Sequence, residues 1–150
     1  MKEKIIRLVS SFFYLGYFPF IPGTMGSLGG VLVYLLVKDN FYFYSAVLVF
    51  IGIVGFTISH KAEELFGRHD CPKIVIDEVV GMLVSLLLIP PKIPLIVLGF
   101  IFFRAFDTIK PPPFDRLQKL PGSLGIMSDD LGAGIYTNFT LRIIAGIVGL

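Results

Sequence analysis

A single cysteine, Cys71, occurs in the whole chain, which removes an internal disulfide framework and a cysteine-rich metal site. Charge is also scarce. Charged residues make up 16% of the sequence and hydrophobic residues 55%, where soluble domains carry roughly 25% charged. With a mean hydropathy of +0.82, the composition is that of a membrane protein. The formal net charge of +2 is small, and no basic stripe interleaved with aromatics is present, so nucleic acid is not an expected partner. Neither a glycine-rich dinucleotide loop, a Walker A pattern nor a kinase signature set occurs, which argues against nucleotide-driven transfer. His60 and His69 have no zinc spacing, and each reads as an interfacial or capping residue.

What remains is apolar sequence cut into short runs. The 150 residues suit one compact domain, 1–150, of several short helices, with no room for a separate soluble catalytic module. The start, MKEKIIRLVSSFFYLGYF, is basic and then apolar, but PFIPGTMGS after it lacks a small-residue cleavage site. It reads as a retained amphipathic interfacial helix, with Lys2, Lys4 and Arg7 at lipid headgroups. Residues 41–59 are uncharged and close to the roughly 20 residues a helix needs to cross a bilayer. Shorter runs cover residues 27–37, 79–90, 93–103 and 131–150, and each lengthens only by taking in polar residues at one end. KDN (38–40) and PPK (90–92) are turns that pair these segments as hairpins. The expected fold is therefore all-α: an integral membrane protein of four to five short transmembrane or re-entrant helices with an N-terminal interfacial helix.

Basic residues assign the sides. With the N-terminus in the cytoplasm, residues 1–26, 60–78 and 104–130 are cytoplasmic and hold ten of the thirteen basic residues, leaving Lys38, Lys92 and Arg142 elsewhere. Every chemically interesting cluster then falls on that same side, at helix ends. Ionisable groups at membrane depth are costly and read as functional by default.

Four clusters stand out. In KIVIDEVVGM, Asp77 and Glu78 lie between apolar flanks; adjacent helix positions diverge, so one can ligate while the other supports, or both can simply complement a helix dipole. FFRAFDTIKPPP sets Arg104, Asp107 and Lys110 three apart on one helix face, as a salt-bridge ladder or as a carboxylate with two anion-binding cations. GIMSDD offers Asp129 and Asp130, with Ser128 as a possible cap. PGTMGS supplies Gly23, Thr24, Gly26 and Ser27 ahead of a helix, as a turn and N-cap or as an anion cradle. Asp70 is a looser companion of the acids. Together these describe a Mg²⁺-dependent phosphate site, because Mg²⁺ takes one or two carboxylates plus substrate phosphate.

PGTMGS, IVIDEVVGM, FRAFDTIKPPP and PGSLGIMSDDLGAG, in this order over residues 22–136, resemble the phosphatidylglycerophosphatase A family. One departure is Ser123, where that family often has a second glycine after Pro121-Gly122. The resemblance implies a multi-pass, Mg²⁺-dependent lipid phosphatase of the bacterial inner membrane. Such an enzyme hydrolyses phosphatidylglycerophosphate to phosphatidylglycerol and phosphate at the cytoplasmic face. It marks Asp77, Glu78, Asp107, Asp129 and Asp130 as catalytic and metal-binding, and Thr24, Gly26, Ser27, Arg104 and Lys110 as contacts to the substrate phosphate.

On this reading, Mg²⁺ held by the acids activates water against the terminal phosphate. A covalent aspartyl-phosphate route stands beside it, and rapid-quench trapping separates the two. The rival readings are a membrane ion or proton pathway, which needs ionisable groups through the full depth, and a headgroup phosphotransferase, which differs only in its acceptor.

Overall fold

The computed structural model describes residues 2–68, 71–113, 116 and 119–149. His69 and Asp70 lie outside the described residues. Among the described residues there are six α-helices and no strand: α1 (Lys2–Ser10), α2 (Pro22–Val37), α3 (Phe41–Phe66), α4 (Ile76–Leu86), α5 (Ile93–Ile109) and α6 (Ser123–Val148).

Local chemistry explains most of the boundaries. The Asn40 side chain accepts the Phe43 N–H at 3.0 Å and starts α3, and Gly67, left-handed, ends it. Leu87 turns extended and Leu88 takes a positive φ of 58°, so α4 stops before Pro90 and Pro91. KDN is the link of α2 to α3, whereas α4 ends at Leu86, short of the expected run to residue 90, so PPK is the second half of a six-residue link, 87–92, to α5.

Three further boundaries depart from the sequence expectation. Pro22 stands at the first position of α2, so PGTMGS is helix and not a loop ahead of one. Gly122, at φ 62° and ψ −147°, is followed directly by α6, so Asp129 and Asp130 sit about two turns inside that helix rather than at its start. Helix α3 continues past residue 59 through His60 to Phe66. In each case the helix gains length by absorbing the polar end of an apolar run.

Helix α4 is the centre of the molecule. Val79, Met82, Leu83 and Leu86 are all at most 1% exposed, enclosed by α2, α3, α5 and α6. Its 11 residues make a rod of about 16 Å, roughly half the thickness of a bilayer's hydrocarbon core. Its C-terminal end is partly buried, and its last carbonyls find partners on α3 and α6. The Tyr44 hydroxyl donates to the Leu83 carbonyl. The Asn138 amide donates to the carbonyls of Val84, Ser85 and Leu87 at 3.2, 3.1 and 2.8 Å. Arg142 donates to the Leu87 carbonyl at 3.2 Å and to Asn138 Oδ1 at 2.8 Å. Arg142, one of the three basic residues outside the expected cytoplasmic stretches, is thereby accounted for as part of a cap. Replacing Asn138 with alanine leaves partly buried carbonyls without a donor and is expected to cost about 1–3 kcal/mol, read as a lower unfolding midpoint in detergent.

The outer surface reverses the usual soluble pattern. Val97 and Ile101 on α5, Val49 and Ile53 on α3, and Ile135, Phe139, Ile143 and Ile147 on α6 form outward apolar rows, while Ser27, Ser59, Ser85 and Thr137 are fully buried. Helices α3 and α6, 26 residues each with hydropathies of 2.1 and 1.4, are long and apolar enough to cross a membrane.

Candidate active site

Three helices deliver the acids. Asp77 and Glu78 stand in the first turn of α4, Asp107 in the last turn of α5, and Asp129 and Asp130 in the second turn of α6. Their carboxylates surround a cavity of about 270 Å³ that Pro72, Thr108 and Lys110 also line. Carboxylate oxygens of Asp77, Glu78 and Asp130 lie within 4.8 Å of one another, and so do those of Asp107, Asp129 and Asp130. A larger cavity of about 480 Å³, between α1 and α3, is lined by apolar side chains alone and offers no group for chemistry.

Two cations meet this cluster. Arg104 Nη1 donates to Asp107 Oδ2 at 2.6 Å, one helical turn away. Lys110 does not extend that ladder. Its backbone is left-handed (φ 49°) at the end of α5, and its Nζ donates to Asp129 Oδ2 on α6 at 2.6 Å. Asp129 Oδ1 accepts the backbone N–H of Asp130 at 3.1 Å.

The fields are strong because the groups are buried together. Burial, then the charge of Glu78, pushes the Asp77 carboxyl well above the usual carboxylate range. Burial likewise pushes Glu78 up to about 7. Burial acts to lower the Lys110 pKa, but the hydrogen bond it donates to Asp129 and the surrounding acids outweigh it and raise the value above the ordinary one.

Asp77 Oδ1 and Glu78 Oε2 are buried and have no hydrogen-bond partner among the described residues. Orphaned carboxylate oxygens converging in an all-oxygen donor set suit a hard divalent cation. On this donor chemistry, the residues present fit a metal.

The PGTMGS residues meet the site differently from the expected cradle. Ser27 is fully buried and its hydroxyl donates back to the Gly23 carbonyl at 3.0 Å. Gly26 lies against the start of α4, where an added Cβ would fall 2.8 Å from Val75 Cβ. Thr24 is partly exposed and does not line the acid cavity. Gly26 and Ser27 thus serve close packing of α2 on α4, which their small size permits. His60 lies apart, pairing with Glu64 at 3.5 Å.

Gly23 is the residue whose role the motif alone did not disclose. A Cβ there would stand 2.7 Å from Glu78 Oε1 and 3.2 Å from both Arg104 terminal nitrogens. Alanine is the better helix former by about 0.8–1 kcal/mol, so Gly23→Ala is expected to keep or raise the unfolding midpoint while lowering turnover. Unchanged turnover would separate Gly23 from the site.

An all-helical protein whose helix ends gather carboxylates around a cavity, with an arginine and a lysine among them, has the construction of a phosphate-handling site. The chain matches the family profile described as Phosphatidylglycerophosphatase A over residues 8–145, and it belongs to that family, whose members are phosphatases. It is 36% identical to the Phosphatidylglycerophosphatase A of Escherichia coli K12 over 136 residues, 87% of this chain and 78% of that protein. It is also 36% identical to that of Haemophilus influenzae Rd over 140 residues, 87% and 83% of the two chains. A Bacteroides thetaiotaomicron protein provisionally named a phosphatidylinositol-3-phosphatase is 28% identical over 151 residues, 95% of this chain and 94% of that one. No solved structure matches the chain.

Proposed function

We propose that the protein is a single membrane-embedded domain that hydrolyses phosphatidylglycerophosphate to phosphatidylglycerol and phosphate. It uses Mg²⁺ and works at the cytoplasmic face of a bacterial inner membrane. The observation that carries this is the pair of unpartnered oxygens on Asp77 and Glu78, set in a five-acid cluster beside Arg104 and Lys110. The apolar outer rows support a bilayer around the molecule, with α3 and α6 as full spans and α4 as an interior half-helix. The ten basic residues on one side support the orientation.

Asp77, Glu78, Asp107, Asp129 and Asp130 form the acid wall of the reaction cavity. These residues would hold a divalent cation, which when bound would supply positive charge to the phosphoryl oxygens and lower the pKa of a water. Arg104 and Lys110 offset the charge that builds on those oxygens in the transition state. A carboxylate of the cluster accepts the proton that the attacking water loses. The acyl chains stay in the bilayer, and the terminal phosphate reaches the cavity from headgroup depth. An ion pathway fits less well, since Arg142, at the far end of the bundle from the acids, is engaged in capping α4.

The test is phosphate release by the purified protein from phosphatidylglycerophosphate, phosphatidic acid, phosphatidylinositol 3-phosphate and a soluble glycerophosphate, with Mg²⁺ and with EDTA. Preference for the first, lost in EDTA, is expected. Preference for the phosphoinositide would transfer the activity to the substrate named for the Bacteroides relative, and full activity in EDTA would remove the metal.

A further inference from the structure

The five acids are not equivalent in their surroundings. Asp77 is 7% exposed and its Oδ1 has no partner, and Glu78 Oε2 is equally bare. Asp129, by contrast, has both oxygens engaged, Oδ2 by Lys110 Nζ at 2.6 Å and Oδ1 by the Asp130 N–H at 3.1 Å. Asp107 Oδ2 is held by Arg104 at 2.6 Å. Among the described residues, the two cations pair directly with Asp107 and Asp129 and with neither Asp77 nor Glu78.

Building on the metal-dependent reading, we infer that one divalent cation binds Asp77, Glu78 and Asp130, and that Asp107 and Asp129 are positioning residues that fix Arg104 and Lys110 for the substrate phosphate. A buried carboxylate oxygen with no donor, as on Asp77 and Glu78, carries an unmet electrostatic demand that a cation meets directly. A carboxylate already paired at 2.6 Å has part of its charge offset, and displacing its partner would leave a partly buried cation unpaired. The triad of Asp107, Asp129 and Asp130 is compact enough for a metal, but two of its three acids are already paired, with Arg104 and Lys110. Asp130 is the seam between the two halves, reaching the oxygens of both triads. The fixed arginine and lysine then present their remaining donors to phosphoryl oxygens from the side opposite the cation. Arginine and lysine are the usual partners of such oxygens.

Charge-neutral pairs of substitutions test this without reference to turnover. Mn²⁺ binding to the full chain in detergent is measured by calorimetry and by its electron paramagnetic resonance signal, with circular dichroism reporting the fold. Wild type should bind one Mn²⁺. Asp77→Asn, Glu78→Gln and Asp130→Asn should each weaken it by more than the roughly 10- to 100-fold that losing a supporting residue costs. Asp129→Asn alone lowers the local negative field, but Asp129→Asn with Lys110→Met restores the charge and should bring Mn²⁺ affinity to within about threefold of wild type. Asp107→Asn with Arg104→Met should behave alike.

Vanadate, a phosphate analogue, reads the other half. In the Mn²⁺-loaded protein, Asp129→Asn, Lys110→Met and their double variant should weaken vanadate to the same extent, because the acid acts through the lysine. Two Mn²⁺ per chain, or a charge-neutral double variant that stays as deficient in Mn²⁺ as Asp77→Asn, overturns the inference while leaving the metal reading intact. Absence of Mn²⁺ binding in folded wild type overturns both.

Discussion

Asp77→Asn is expected to reduce phosphate release by about 10³-fold or more, equivalent to about 4 kcal/mol of transition-state stabilisation, while the helices stay folded. The substitution keeps the shape of the side chain and removes only the charge and one oxygen. Its consequence for stability should be opposite in sign. Burial and the charges of Glu78, Asp130 and Asp129 raise the pKa of Asp77 in the folded protein. A carboxyl raised on folding binds its proton more tightly in the native state, so its contribution to stability falls as pH climbs above the unfolded value. At neutral pH the metal-free protein therefore carries a penalty that asparagine relieves. Each kcal/mol recovered raises the midpoint by about 2–4 °C in a chain of this size. The measurement is a pair of melting curves, without and with Mg²⁺. Wild type should gain from the cation and start lower; Asp77→Asn should start higher and gain little. Full turnover in Asp77→Asn, or a metal-free midpoint well below wild type, would remove Asp77 from the cation site.

The helical class and the hairpin links were readable because KDN and PPK interrupt runs whose residues otherwise carry no charge. The acids were conspicuous for the same reason, since Asp77 and Glu78 have apolar neighbours on both sides. The standing of α4 was not readable. Its apolar run looks like a short span, and tertiary partners far along the chain, Tyr44, Asn138 and Arg142, reveal a short helix whose last carbonyls are capped by its neighbours. The ion pairing was hidden too. Spacing placed Lys110 over Asp107, but the left-handed turn at Lys110 carries it to Asp129 on another helix. In PGTMGS, glycines and hydroxyls have the same composition in an anion loop as in a tight helix crossing, and Pro22 at the first helical position decides for the crossing.

Gly134→Val is expected to abolish cation binding and turnover together, because one helix crossing sets both the fold and the distance between the acids. A Cβ at Gly134 would lie 2.5 Å from the Gly81 carbonyl oxygen and 3.1 Å from Val84 Cβ. At Gly81 it would lie 2.7 Å from the Asp130 carbonyl oxygen and 2.6 Å from the Phe103 ring. At Gly134 the nearest obstructing atom is a backbone carbonyl oxygen, which cannot swing aside as a flexible side chain would. Gly81 is one turn along α4 from Asp77, and Gly134 is one turn along α6 from Asp130, so a wedge at the crossing acts directly beneath the cluster. Overpacking of this kind costs about 1–3 kcal/mol. Separation of the helices also stretches the 4.8 Å limit within which the oxygens of Asp77, Glu78 and Asp130 now lie. Gly134→Ala should show a smaller loss, since the alanine regains about 0.8–1 kcal/mol of helix propensity. Gly146 is the control on the same helix, with nothing within 4 Å of its added Cβ, and Gly146→Ala should hold or raise the midpoint with turnover unchanged. Wild-type Mn²⁺ affinity in Gly134→Val would mean that the crossing does not set the site. The small residues before the last apolar stretch then act on the site through backbone distance: they let α6 approach α4 closely enough for carboxylates from two helices to meet within 4.8 Å.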